Sequence, residues 1–150
     1  MKTKWTAEKS LFLTRILTAA MLLTAAGALF VVPAIARWYE ALSGCGPAGT
    51  VLRASLYFSI LTGIAALCIL LKMLSNLAKQ KMFVEENVRC LRLISWCCFL
   101  IAAVWLFLGA FRRIAFCVGF VSVFAGLIVR VMKNLLETAT AMREEQDYTI

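Results

Sequence analysis

Six cysteines, eight carboxylates and no histidine are what this chain offers for bond attack, proton transfer or metal binding. Such chemistry needs a nucleophile beside a base, or several ligands at one point. The spacing supplies neither. Cys68, Cys97, Cys98 and Cys117 fall in apolar stretches and Cys90 lies near one, where free cysteines pack as small hydrophobes. No C-x-x-C pair occurs, and without histidine a zinc site is not expected. Cys45 differs, because it stands among Gly44, Gly46 and Pro47 in a loop where a disulfide could form. Cys117 of the same chain or Cys45 of a second copy could pair with it. Glu8, Glu40, Glu85, Glu86, Glu137, Glu144, Glu145 and Asp147 all stand outside the apolar stretches. The expectation is a non-enzymatic chain with no catalytic residue, no metal and no cofactor. Cation-coupled transport usually requires an ionisable group within the membrane, and the first apolar stretch carries only Thr18 and Thr24.

The stretches that must position everything else are four charge-free runs, residues 16–36, 54–71, 93–111 and 114–129. They hold 21, 18, 19 and 16 residues, and a helix crosses the hydrocarbon core with about 20. Hydrophobic residues make up 63% of the chain, against about 45–50% in soluble domains. The fold class expected is all-α: a polytopic membrane protein with a four-transmembrane-helix bundle. A single domain over residues 1–150 is expected, with helices at about 11–36, 54–78, 88–110 and 114–142. The first run is longer than the apolar core of a signal peptide, about 7–15 residues. It therefore reads as a retained helix, with Pro33 marking its outer end. Residues 37–53, rich in glycine, read as an outer loop. Residues 109–113 must turn the chain sharply between helices three and four.

The net charge is +8, and it is unevenly placed. Lys2, Lys4, Lys9 and Arg15 precede the first run. Lys72, Lys79, Lys81, Arg89 and Arg92 separate the second from the third, and Arg130, Lys133 and Arg143 follow the fourth. Only Arg37, Arg53, Arg112 and Arg113 belong to the other side. Because cytoplasmic loops collect Lys and Arg, both termini are expected in the cytoplasm, with the chain multi-pass in the cell inner (cytoplasmic) membrane. Trp5, Phe12, Trp38 and Tyr39 suit the two interfaces of the first helix. The lipid bilayer, through its anionic headgroups, is the expected partner of these charges. No motif points to direct nucleic-acid binding.

Two helices carry small-residue stripes at the spacing i, i+4, i+7, i+11: Ser55, Ser59, Thr62 and Ala66, and Ala115, Gly119, Ser122 and Gly126. Each lines one face, and small faces let helices approach closely in lipid. The expectation is a seam within the bundle, with a ligand crevice or a homo-oligomer face as alternatives. Helices two, three and four should extend beyond the membrane as a modest crown. Glu85 and Glu86 fit the first turn of the third, where negative charge suits the helix dipole. The acidic tail from Glu144 reads as a frayed terminus, although Tyr148 and Ile150 would let it dock in a basic groove.

Two segments resemble a known family. One is residues 79–94, KQKMFVEENVRCLRLI, and the other is the ending EEQDYTI, residues 144–150. They are similar to the small bacterial membrane proteins of domain of unknown function 2975, through Phe83, Asn87, Leu91, Arg92, Asp147, Thr149 and Ile150. Gln80 replaces the family's usual Gly, Gln146 its Asn and Tyr148 its Leu. The four-run layout agrees along nearly the whole chain. The resemblance implies a four-helix membrane protein of unassigned activity. Members often appear beside a small helix-turn-helix transcription regulator, which implies a membrane protein that holds such a regulator at the bilayer. The expected partner-binding residues are Phe83, Asn87, Arg89, Arg92, Glu144, Glu145, Asp147, Tyr148 and Ile150. A small transport or resistance protein, or a structural subunit of a membrane complex, is the alternative.

Overall fold

A computed structural model of the chain describes residues 2–43, 46–79, 84–110 and 113–148; of residues 2–8, 43, 46–48 and 147 it describes the backbone alone. Four α-helices account for almost all of them: α1 Lys2–Ser43, α2 Gly46–Ala78, α3 Glu85–Gly109 and α4 Arg113–Tyr148. Each is long and apolar enough to cross a bilayer. Only 6% to 17% of the most apolar stretch of each helix is buried inside the protein. Faces that apolar require an apolar solvent, so this is a multi-pass membrane protein.

The helices run further than the charge-free runs. α1 does not end at Pro33. The helix continues ten residues beyond it to Ser43, because a proline in a membrane helix frees one carbonyl that neighbouring groups can satisfy. The glycine-rich stretch expected as an outer loop is mostly helical too. α2 begins at Gly46 with Pro47 in its first turn, where proline's missing N–H interrupts no intrahelical bond. Gly44 and Cys45, and with them both expected disulfide alternatives of Cys45, lie outside the described residues. The tail expected to fray continues α4 through to Tyr148. At about 1.5 Å per residue the 36 residues of α4 span some 54 Å. A hydrocarbon core of about 30 Å leaves much of that length outside.

The packing is sequential. Among the described residues α1 packs only against α2, α2 against α1 and α3, and α4 only against α3. The four-helix bundle is thus open between α1 and α4. Its tightest part is the α3–α4 hairpin; Phe111 and Arg112, where a sharp turn is expected, lie outside the described residues. Here the stripe on α4 is the seam. Ala115, Gly119 and Gly126 are buried. A Cβ on Gly119 would stand 2.8 Å from Leu106 Cγ and 3.0 Å from the Leu106 backbone nitrogen. On Gly126 it would stand 3.1 Å from Phe99 Cε1. The absent side chains let the backbones close up, and the Ser95 hydroxyl donates to the Gly126 carbonyl at 3.2 Å. The matching stripe on α2 faces α3, where the Trp105 indole N–H donates to Ser59 Oγ at 2.8 Å. α1 leans on α2 through Thr18, Val32 and Ala36. Near the far end of that contact, Glu40 crosses to Arg53 Nη2 at 3.4 Å, over a buried Gly49 whose Cβ would collide with the Glu40 side chain.

Candidate functional site

The start of α1, the end of α2, the start of α3 and the end of α4 share one end of the bundle, and a cluster of polar and charged side chains gathers there. α3 starts with Val84 in extended conformation at its N-cap, followed by Glu85 and Glu86 in the first turn. The Asn87 N–H donates to the Val84 carbonyl at 2.9 Å. From that start, two faces of α3 make different contacts.

The face toward α2 carries Glu86 and Asn87. Lys72 Nζ sits 2.8 Å from Glu86 Oε1. The Asn76 amide donates to Glu86 Oε2 at 3.2 Å and to Asn87 Oδ1 at 3.4 Å. Asn87 is fully buried, and a buried amide without partners costs about 1–3 kcal/mol, so this contact locks the last turn of α2 to the first turn of α3. Beside it, the Glu86 carboxylate holds the Lys72 ammonium above the usual lysine range, first by hydrogen bonding and then by charge.

The face toward α4 forms a groove of about 270 Å³. Glu85, Val88, Arg89 and Arg92 line it from α3, and Glu137, Thr140, Ala141 and Glu144 from α4. Val88 and Thr140 are buried and form its floor, while the charged residues are exposed at its rim. Arg92 Nη2 lies 3.7 Å from Glu137 Oε1. Lys133, one turn back on α4, hydrogen-bonds Glu137 as well. The Lys133 hydrogen bond and charge, with Arg92 adding to them, hold the Glu137 carboxyl below the usual carboxylate range. Glu137 therefore stays ionised as the joint between helices. Arg89, Glu85 and Glu144 carry no such pair among the described residues. The groove consequently presents both signs of charge over a small apolar floor.

Of the residues singled out from sequence, Arg89, Arg92 and Glu144 come together in this groove. Asn87 is on the other face of α3, inside the protein. Glu145 and Tyr148 are exposed on the last turns of α4, Tyr148 at 91%. Phe83 and Ile150 lie outside the described residues, as does the Asp147 side chain. Sequence reasoning missed Glu85, Val88, Glu137, Thr140 and Ala141. The signal was there: 85, 88, 89 and 92 share one helical face, and so do 137, 140, 141 and 144.

Residues 18–150 match the sequence model of a family described as protein of unknown function, DUF2975. The chain belongs to the DUF2975 family. No curated protein and no solved structure matches it. The match starts within α1 and takes in the whole of α2, α3 and, through residue 150, α4.

Proposed function

We propose that this DUF2975 protein is a non-enzymatic membrane regulator that binds a cytosolic partner, such as a small helix-turn-helix transcription regulator, on the end carrying its termini. The observation that carries the reading is the α3–α4 groove. It joins residues from segments about fifty positions apart, Arg89 and Arg92 with Glu144, into one mixed-charge recess. Mixed charge over a short apolar floor suits reversible protein docking, since charges at a rim set specificity and encounter rate. The excess of Lys and Arg at this end supports a cytoplasmic orientation for it, with the chain in the cell inner membrane. The last turns of α4, with Glu145 and Tyr148 exposed, extend the docking face. Asn87 supports it from behind by fixing the start of α3. The reading predicts that holding the regulator at the bilayer keeps it from DNA.

Trp105 engages the Ser59 stripe, so the packing gives no particular support to the transport alternative.

The test is a pull-down from native membranes with the tagged full chain. A small DNA-binding protein should be retained by the parent and released by Arg89→Glu and by removal of residues 144–150. Equal retention by parent and both variants would overturn the reading.

A further inference from the structure

A second recess lies on the same seam as the groove, one helical turn nearer the membrane. Arg92 and Ser95 line it from α3, and Arg130 and Lys133 from α4. It is a notch of about 20 Å³, large enough for one or two oxygen atoms of a bound group. Arg92 immediately precedes the charge-free run of α3, and Arg130 immediately follows that of α4. The notch therefore sits where hydrocarbon gives way to headgroups. The Ser95–Gly126 hydrogen bond fixes the two helices in register at this level.

Its charge is not balanced from within. Three cations converge, and among the described residues Glu137 is the carboxylate that pairs with any of them, contacting Arg92 and Lys133. Arg130 has no ion pair or hydrogen-bond partner among the described residues. The Lys133 side chain is only 15% exposed, its stem laid along apolar surface with the ammonium at the end. About two positive charges thus remain uncompensated in a concave, partly desolvated place. An arginine fork matches two phosphate oxygens at once. The flank of the notch separates a lipid from a free anion. Trp96 and Leu127, one turn further into the membrane from Arg92 and Arg130, are about half exposed, and both are apolar surfaces along which an acyl chain can lie.

We infer that the Arg92–Ser95–Arg130–Lys133 notch binds the phosphodiester of an anionic phospholipid, with its acyl chains against the α3–α4 hairpin. Basic recesses between membrane helices at headgroup depth take such groups. Arg130 is the residue whose whole charge is available to the lipid. Arg92 lines both recesses, and it and Lys133 contact Glu137 of the groove, so an occupied notch steadies the groove's inner edge.

The test uses the full chain, extracted in neutral detergent and stripped of lipid. Phosphatidylglycerol, phosphatidylcholine and inorganic phosphate are added in turn, and bound molecules are counted by native mass spectrometry. Phosphatidylglycerol should bind several-fold more tightly than phosphatidylcholine. Arg130→Gln should weaken it about fivefold, and Arg130→Lys should recover most of that loss. Arg143→Gln, the same charge change further along α4, should alter it less than twofold. The inference is overturned if Arg130→Gln binds phosphatidylglycerol as the parent does, if Arg143→Gln weakens it equally, or if phosphatidylcholine binds as well. Displacement of the lipid by equimolar inorganic phosphate would also overturn it, because the ligand would then be a free anion.

Discussion

The two hairpins of this molecule solve the same problem differently. Between α3 and α4, glycines and a serine remove side-chain bulk, so the backbones meet and a buried hydroxyl bonds across the gap. Between α1 and α2, contact depends on a few positions from Thr18 to Ala36 and on the Glu40–Arg53 pair. The remainder of α1 turns Leu13, Leu17, Met21, Leu23 and Phe30 outward. In water such exposure would drive collapse. In lipid, hydrocarbon solvates these side chains as well as a neighbouring helix would, and association rests on close packing instead. The α3–α4 hairpin is thus the platform on which both recesses are built, and α1 is a span attached at one side.

Substitutions at the seam separate the two hairpins most clearly. Gly119→Leu places a branched side chain where even a Cβ would stand 2.8 Å from Leu106. It should lower stability by about 2–3 kcal/mol, read as an earlier midpoint on titrating the protein from mild detergent into sodium dodecyl sulfate. Ser95→Ala removes the hydroxyl that bonds Gly126 and should cost about 0.6–1.7 kcal/mol in the same titration. Trp105→Phe should fall at the lower end of that range, since its bond to Ser59 is only part-buried. Gly27→Leu, on α1 with nothing within 4 Å of a Cβ, should change stability by less than about 0.5 kcal/mol. Equal losses at Gly27 and Gly119 would show that α1 has a packed neighbour on that face and would end the contrast.

Much of this was legible along the chain. Charge-free runs of the right length announced four spans, since an unpaired charge in hydrocarbon is too costly to scatter at random. Small residues spaced at i, i+4, i+7 and i+11 announced a seam on α4, and that is where Gly119 and Gly126 are buried. Helix ends were less legible. Pro33 and the glycine-rich residues 46–49 read as breakers by local propensity, but helical hydrogen bonding near a bilayer overrides propensity. The resemblance puts Asn87 among the partner-binding residues, but the structure buries it, with its Oδ1 accepting from Asn76, and that position depends on how α2 meets α3.

The sequence by itself determined the class of solvent, the number of spans and which face of each helix carries bulk, gaps or charge. These follow from hydropathy and the helical repeat, which are properties of one segment at a time. Only the tertiary structure decided which faces meet. It left α1 and α4 apart, set Arg89 and Arg92 against Glu137 and Glu144 across about fifty residues, and drew Arg92, Arg130 and Lys133 around one notch. The physical reason is that a period of 3.6 residues fixes directions around a helix axis. The neighbour and its register come from the few places where backbones can close, here Gly119, Gly126 and Ser95.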